Sequence, residues 1–438
     1  MRLRAGFVSI FLVLWVLMAV ILLSSNSLSL SAQSTRSGDL PPGFVREMVV
    51  EGLDGPTAFA MAPDGRIYFT QKAGAVKVFH AGRLLRENFI DLSAEVNQAY
   101  NRGLVGITLH PDFPKTPFVY LAYVYQPKEA NQHKETGARL SRIVRVTADP
   151  DNLNRALPGS TFVLLGGGGT YARIGNPDRS DAPPLTCEDA NGAPVHDCVP
   201  VEGTAHQINA MRFGADGALY VAVGDGGEHA KAGQRAQDVN SLSGKILRIN
   251  PITGAGYANN PFYDRNPLSN RSKVFALGLR NPFRLTIAPA TGELFIGDVG
   301  AATWEEVNRG RRGANFGWPC FEGPNVAGES EFCATLHANP TRAIFPVHAY
   351  EHADGRVAVV GGDFDRGGAF PDEYRNAYFF ADYNVGVIWA MTVATRTVEV
   401  VEFASGFSGV VQITAGNDGD LYVLSIRTGA LERVRYAE

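Results

Sequence analysis

The chain predicts an all-β protein, a propeller of six blades, on three observations. A turn with Asp or Gly followed by an apolar strand carrying an aromatic recurs six times: "APDGRIYFT" (Tyr68), "HPDFPKTPFVYLAY" (Tyr120), "GADGALYVAVGD" (Tyr220), "APATGELFIGD" (Phe295), "EYRNAYFFADY" (Tyr378) and "GNDGDLYVLS" (Tyr422). A second strand usually follows after a polar turn, as in "AVKVFH", "RIVRVTA", "KILRIN", "GVIWAMTV" and "ALERVR", with the alternation of half-buried strands. Long helical periodicity is nearly absent after residue 40, and 48 glycines, 25 phenylalanines and 15 tyrosines favour short strands and turns. Each unit alone is a small sheet that cannot cover both its faces. Packing six around an axis buries the faces and leaves only short edges. A multi-sheet sandwich is the alternative that the pattern allows.

From the N-terminus, MRLRA supplies two arginines, residues 6–23 are apolar or small, and a Ser-rich stretch ends near Ala32. This is the layout of a secretory signal over residues 1–32, or of an uncleaved membrane anchor, since the apolar run borders on a span. The bulk of the chain is then exported: periplasmic, secreted, or anchored on the outer side. Residues 40–438 form the propeller, and "FVREMVVEGL" is expected to pair with the last blade and close the ring. The longest loop, about 166–204, holds GGGG, several prolines and two cysteines, and loops of that length in compact domains are usually functional or disordered. Four cysteines, Cys187, Cys198, Cys320 and Cys333, fit disulfides in an exported chain. Cys187–Cys198 and Cys320–Cys333 are the simplest of three connectivities, and neither spacing is that of a CxxC zinc site. The net charge is −4 with no basic run, which argues against a nucleic-acid partner.

The stretch "GDGGEHAKAGQRAQDVNSLSGKILRIN" opens on a glycine-rich turn. No GK[ST] follows at phosphate-loop spacing, and the stretch leads into a strand rather than a helix. It reads as the end of a blade's inner strand turning into a top loop, which sets Asp225 near the central axis.

"AHQINAMRFGADGALYVAVGDGG", "ALGLRNPFRLTIAPATGELFIGDVG", "WEEVN" and "GANFGWPCFEG" follow one another in order. Together they resemble the soluble glucose/sorbosone dehydrogenase family, six-bladed propellers that use pyrroloquinoline quinone (PQQ) and calcium, and within it the aldose-dehydrogenase and Hedgehog-interacting-protein-like branch. The resemblance runs from about Leu40 to the end. It implies an exported aldose dehydrogenase that oxidises the anomeric hydroxyl and passes electrons to a quinone or cytochrome. No side chain accepts hydride, so this chemistry requires the cofactor. His206 matches the catalytic base and Asp225 the acid that orients it. Arg280 and Asn281, in "LRNP", match residues that hold the quinone, the guanidinium stabilising charge on the reduced oxygen. The carbonyls of Gly300 and Ala301 match those that hold the cofactor's calcium. Glu306 and the carbonyl of Phe316 match a separate structural calcium, in keeping with calcium's preference for oxygen ligands. Glu305 and Glu306 point to opposite faces of a strand, so only one can serve that site.

The chain also departs from the family pattern. Where the glucose-oxidising branch grips the PQQ carboxylates with a pair of arginines, this chain has "GFSGVVQITAGNDG", and Asn384 stands where a lysine is expected. Arg356 is a loose substitute. Weakened PQQ binding with a steep dependence on Ca²⁺ is the expectation. A non-catalytic propeller that binds a sugar, a surface polymer or a protein is the alternative. A metal-dependent sugar lactonase on a similar ring is a third possibility, against which the ordered motif series argues.

Overall fold

The six aromatic motifs form strands Ile67–Gln71, Phe118–Tyr125, Leu219–Val223, Leu294–Asp298, Tyr378–Asp382 and Leu421–Ser425. Each is the second strand of an antiparallel sheet, and six such sheets make the blades. This is a computed structural model; it describes residues 40–126, 137, 139–168, 187, 195–227, 230–328, 330–393 and 397–437. The leader or anchor expected over residues 1–32 lies outside the described residues, as does much of the 166–204 loop. Among the described residues no helix is long and apolar enough to cross a membrane.

The innermost strands are Pro56–Met61, Leu104–Leu109, Ile208–Phe213, Pro282–Ile287, Val359–Phe364 and Val410–Ala415. They pack side by side in ring order, the last against the first. Apolar clusters fill the space between blades: Tyr68, Val76, Leu121 and Val144 join the first and second, and Tyr120, Ile143, Leu219 and Leu247 the second and third. Ring closure follows the expectation. Strand Phe44–Val50 pairs antiparallel with Ala430–Tyr436, Phe44 facing Tyr436, so the sixth blade takes its outermost strand from the start of the propeller. Two ion-pair groups hold this strand from both faces: Arg46 with Glu432, and Glu47 with Arg433 and Arg435. Both expected disulfides, Cys187–Cys198 and Cys320–Cys333, are formed.

One irregularity repeats six times. The ladder between each innermost strand and its neighbour slips near the start of the innermost strand: at Pro56/Ala58, Leu104/Gly106, Ile208/Ala210, Pro282/Arg284, Val360/Asp363 and Val410/Gln412. A bulge leaves its extra residue outside the ladder. Thr57, Val105, Asn209, Phe283 and Val411 are such residues, and all five line one central cavity.

The "GDGG" turn differs from its expected place. Gly224 follows Leu219–Val223, the second strand of blade three rather than its innermost strand. In an antiparallel pair the start of one strand lies beside the end of the next. His206, just before the innermost strand, and Asp225, just after the second, are therefore brought to the same end of the blade.

Candidate active site

The central cavity has a volume of about 390 Å³ and draws its walls from all six blades. Its lining includes His206, Gln207, Asn209, Asn281 and Lys72, with no aspartate or glutamate among the described lining residues.

His206 is buried and has a left-handed backbone, φ 61°. Its Nδ1 lies 2.7 Å from Asp225 Oδ1. Asp225 is itself buried, and its second oxygen accepts from Trp318 Nε1 at 2.9 Å. The Gly227 N–H also donates to Oδ1, at 3.2 Å. Because a carboxylate only accepts, Nδ1 carries a proton, and in the neutral ring Nε2 keeps the lone pair.

The next two blades explain why Asp225 is placed here. Asp298, at the end of the second strand of blade four, accepts the backbone N–H groups of Arg280 and Asn281 at 3.0 and 2.6 Å. Asp382, at the same place in blade five, accepts those of Val357 and Ala358, both at 2.9 Å. In each case the carboxylate secures the backbone leading into the innermost strand. In blade three the equivalent carboxylate meets a histidine ring instead.

Asn281 reaches the central cavity, where its Oδ1 accepts from Asn209 Nδ2 at 2.8 Å. Arg280 does not line that cavity. Its Nη1 donates to the carbonyls of Val299 at 3.0 Å and Gly300 at 2.5 Å, and its guanidinium lies 5.5 Å from the centre of the Trp318 ring. Arg280, Asp225, Ala301, Trp318 and Phe332 instead line a second cavity of about 430 Å³. The dyad thus has His206 on one cavity and Asp225 on the other. The Gly300 carbonyl assigned to calcium by resemblance accepts here from a guanidinium, so a calcium ion on its other lone pair would sit beside a positive charge.

Around it lies a group of buried carboxylates. Glu305 Oε2 accepts from Val359 N–H at 2.8 Å, and its Oε1 lies 2.6 Å from His352 Nε2. Glu306, its neighbour, accepts from Gly323 N–H at 2.6 Å and Asn308 Nδ2 at 2.8 Å. Burial pushes the Glu306 carboxyl up to about 7. Burial, then the Glu306 charge, pushes Asp298 well above its ordinary value. Burial would also raise Glu322, but four backbone N–H groups, from Ala301, Ala302, Thr303 and Trp304, converge on its Oε1 and hold it below the usual range. Phe316 is joined to blade three, its N–H donating to Leu277 O at 2.9 Å and its ring buried with Leu285 and Ile296. Among the described residues no hydrogen bond links it to Glu306.

Sequence reasoning gave no role to Trp318, Asn209 or Glu322. Trp318 is 93 residues from Asp225, a contact only the folded ring creates. The Asp that recurs at the end of the second strands of blades three to five, in "GDGG", "GDVG" and "ADYN", was the available signal for Asp225 and its structural counterparts.

Comparison with known proteins adds a family. The Glucose / Sorbosone dehydrogenase profile matches residues 53–160 and 195–433. HIPL1 protein of Arabidopsis thaliana is 27% identical over 409 residues, 84% of this chain and 56% of that protein. The match to HIPL2 protein takes in 45% of its length, so the chain spans about half the length of these relatives. Quinoprotein glucose dehydrogenase B of Acinetobacter calcoaceticus is 24% identical over 424 residues, 90% of this chain and 77% of that protein. The PQQ-bound form of aldose sugar dehydrogenase from Streptomyces coelicolor shares the fold, with a TM-score of 0.64 at 20% identity over 91% of this chain and 99% of that one. The chain belongs to the glucose/sorbosone dehydrogenase family.

Proposed function

We propose that this member of the glucose/sorbosone dehydrogenase family is a PQQ-dependent aldose dehydrogenase acting at the mouth of its central channel. The observation that carries the reading is the chain Trp318–Asp225–His206, which ends at the wall of a cavity with no carboxylate among its described lining residues. A tricarboxylate cofactor fits such a wall, because no like charge opposes it among the described residues.

His206 Nε2 accepts the proton of the anomeric hydroxyl. Asp225 fixes the tautomer and stabilises the imidazolium that results, and Trp318 and Gly227 hold the carboxylate in place. The Asn209–Asn281 pair offers amide groups to a ligand in the wall. When bound, PQQ supplies the two-electron acceptor that no side chain provides. Calcium belongs to this reading at Gly300 and Ala301, whose carbonyls would hold it beside the cofactor. Glu306 is the acidic candidate for the structural ion. With PQQ bound, a quinone or cytochrome would be the onward electron acceptor. Two disulfides support an extracytoplasmic location.

The test is reconstitution. Purified protein given PQQ and Ca²⁺ should reduce an artificial electron-acceptor dye with at least one member of an aldose panel. A second reading, a propeller that only binds its ligand, is favoured by the Arg280–Gly300 contact, which leaves that carbonyl satisfied without calcium. Sugar binding without dye reduction at any PQQ or Ca²⁺ concentration would replace the first reading by the second.

A further inference from the structure

The cations expected in residues 406–419 and at Asn384 are absent, yet the space they would serve is not without charge. Arg427, on the loop after the second strand of blade six, lies across both places. A Cβ at Gly409 would come within 2.5 Å of Arg427 Cγ, so the absence of a side chain there makes room for the arginine stem. The guanidinium donates to Ser408 Oγ at 2.9 Å and to Asn384 Oδ1 at 3.2 Å, and lies 5.0 Å from the centre of the Tyr383 ring. Tyr383, against which the guanidinium lies, and Ile426, its chain neighbour, both line the central cavity, while Arg427 itself is exposed and outside that lining.

Lys72, on blade one, repeats the arrangement. Its side chain lines the same cavity, and a Cβ at Gly103 would come within 2.7 Å of its Cγ. Burial holds its ammonium below the ordinary lysine value, the condition of a partly dehydrated cation. Among the described residues, neither Lys72 nor Arg427 has a carboxylate partner, and those that line the cavity supply none. Arg356 is different: it turns back on its own loop, to Ala353 O at 3.2 Å and Asp354.

We infer that Lys72 and Arg427 form a relocated carboxylate clamp at the channel mouth, replacing the cations absent from Asn384 and residues 406–419. The inference rests on the cofactor reading above only for the identity of the ligand; the chemistry it requires is a compact polycarboxylate. Long-range attraction would bring such an anion to the mouth, and direct ion pairs would then fix its orientation.

The test is binding by calorimetry on the purified full chain, with no sugar or dye. The probes are PQQ and benzene-1,3,5-tricarboxylate, each with Ca²⁺ present. Lys72→Gln should weaken PQQ binding by about tenfold or more, as the loss of one charge-assisted bond predicts. Arg427→Gln should weaken it several-fold, less because the group is exposed and screened. Arg356→Gln should leave affinity unchanged, and unaltered thermal midpoints would show that the variants are folded. Wild-type affinity for PQQ in either clamp variant overturns the inference and leaves the cofactor reading standing. A wild-type protein that binds the tricarboxylate but not PQQ, and loses it in both variants, upholds the clamp and removes the cofactor reading. Binding of neither probe removes both.

Discussion

His206 is where the proposed chemistry is most exposed to test. With Nδ1 committed to Asp225, Nε2 is the only basic atom it can offer to the cavity. His206→Gln should lower kcat of the reconstituted protein by ~10²–10⁴-fold, with a smaller change in KM. Trp318→Phe removes one of the two described donors to the Asp225 carboxylate that are not the histidine, and keeps much of the ring's bulk. Its kcat should fall by roughly tenfold, since the base survives and only its support loosens. Steady-state kinetics on both variants checks the order. The candidacy of His206 and Asp225 was legible because a short motif carries both. Trp318 was not, because its role depends on a contact across two blades. The pose of Arg280 was not legible either: a sequence names the guanidinium but not which carbonyls it reaches.

At the scale of the element, the closing strand is the part whose strength follows pH. Hydrogen bonds from Arg433 and then Arg435 hold the Glu47 carboxyl below its ordinary value. A carboxyl depressed in the folded state adds stability above its unfolded pKa, and that contribution disappears as pH falls through the folded value. Glu47→Gln should therefore lower the thermal midpoint slightly at neutral pH, the group being exposed. The difference between variant and wild type should shrink as pH falls below the ordinary carboxyl value of about 4.3 and vanish only below the lower, folded value. Melting curves across that range decide it; an unchanging difference would mean that the strand is held by its ladder and its apolar face alone. The strand's pairing was legible from its alternation and from the need of a ring for closure. The blades were legible because each second strand repeats an aromatic after a turn. The innermost strands were harder to read, since their bulges interrupt the period-two pattern and their residues serve the channel rather than one face of a sheet.

For the whole molecule, Arg284 is the central tie. It lies buried on the innermost strand of blade four, and its guanidinium donates to the carbonyls of Thr57, Val105, Asn209, Phe283 and Val411 at 2.6–3.4 Å. Those are the bulged residues of five blades, whose carbonyls have left the ladder. The sixth bulge is served differently, the Tyr378 hydroxyl taking the Gly362 N–H at 3.0 Å. Arg284→Met leaves five buried carbonyls without a donor. It should cost about 3–5 kcal/mol of stability, against less than about 0.5 kcal/mol for Arg356→Met. Denaturant titration should show one transition at lower midpoint; an unchanged midpoint would mean that water replaces the guanidinium. Nothing in "LRNPFRLTI" marks this arginine, because its partners are backbone atoms spread over the whole ring.

The pairing of Phe44 with Tyr436 has a consequence for how the ring comes into being. Strand order around the axis has no natural first member: the polypeptide is a circle with a single cut, and the cut falls inside the sixth sheet. Moving it to any exposed turn, with residues 40 and 437 joined, would leave every native contact in place. What the position of the cut determines is which sheet must wait for the far end of the chain to arrive. The last sheet to form is thus chosen by connectivity, and the route to the ring can be changed while its destination stays the same.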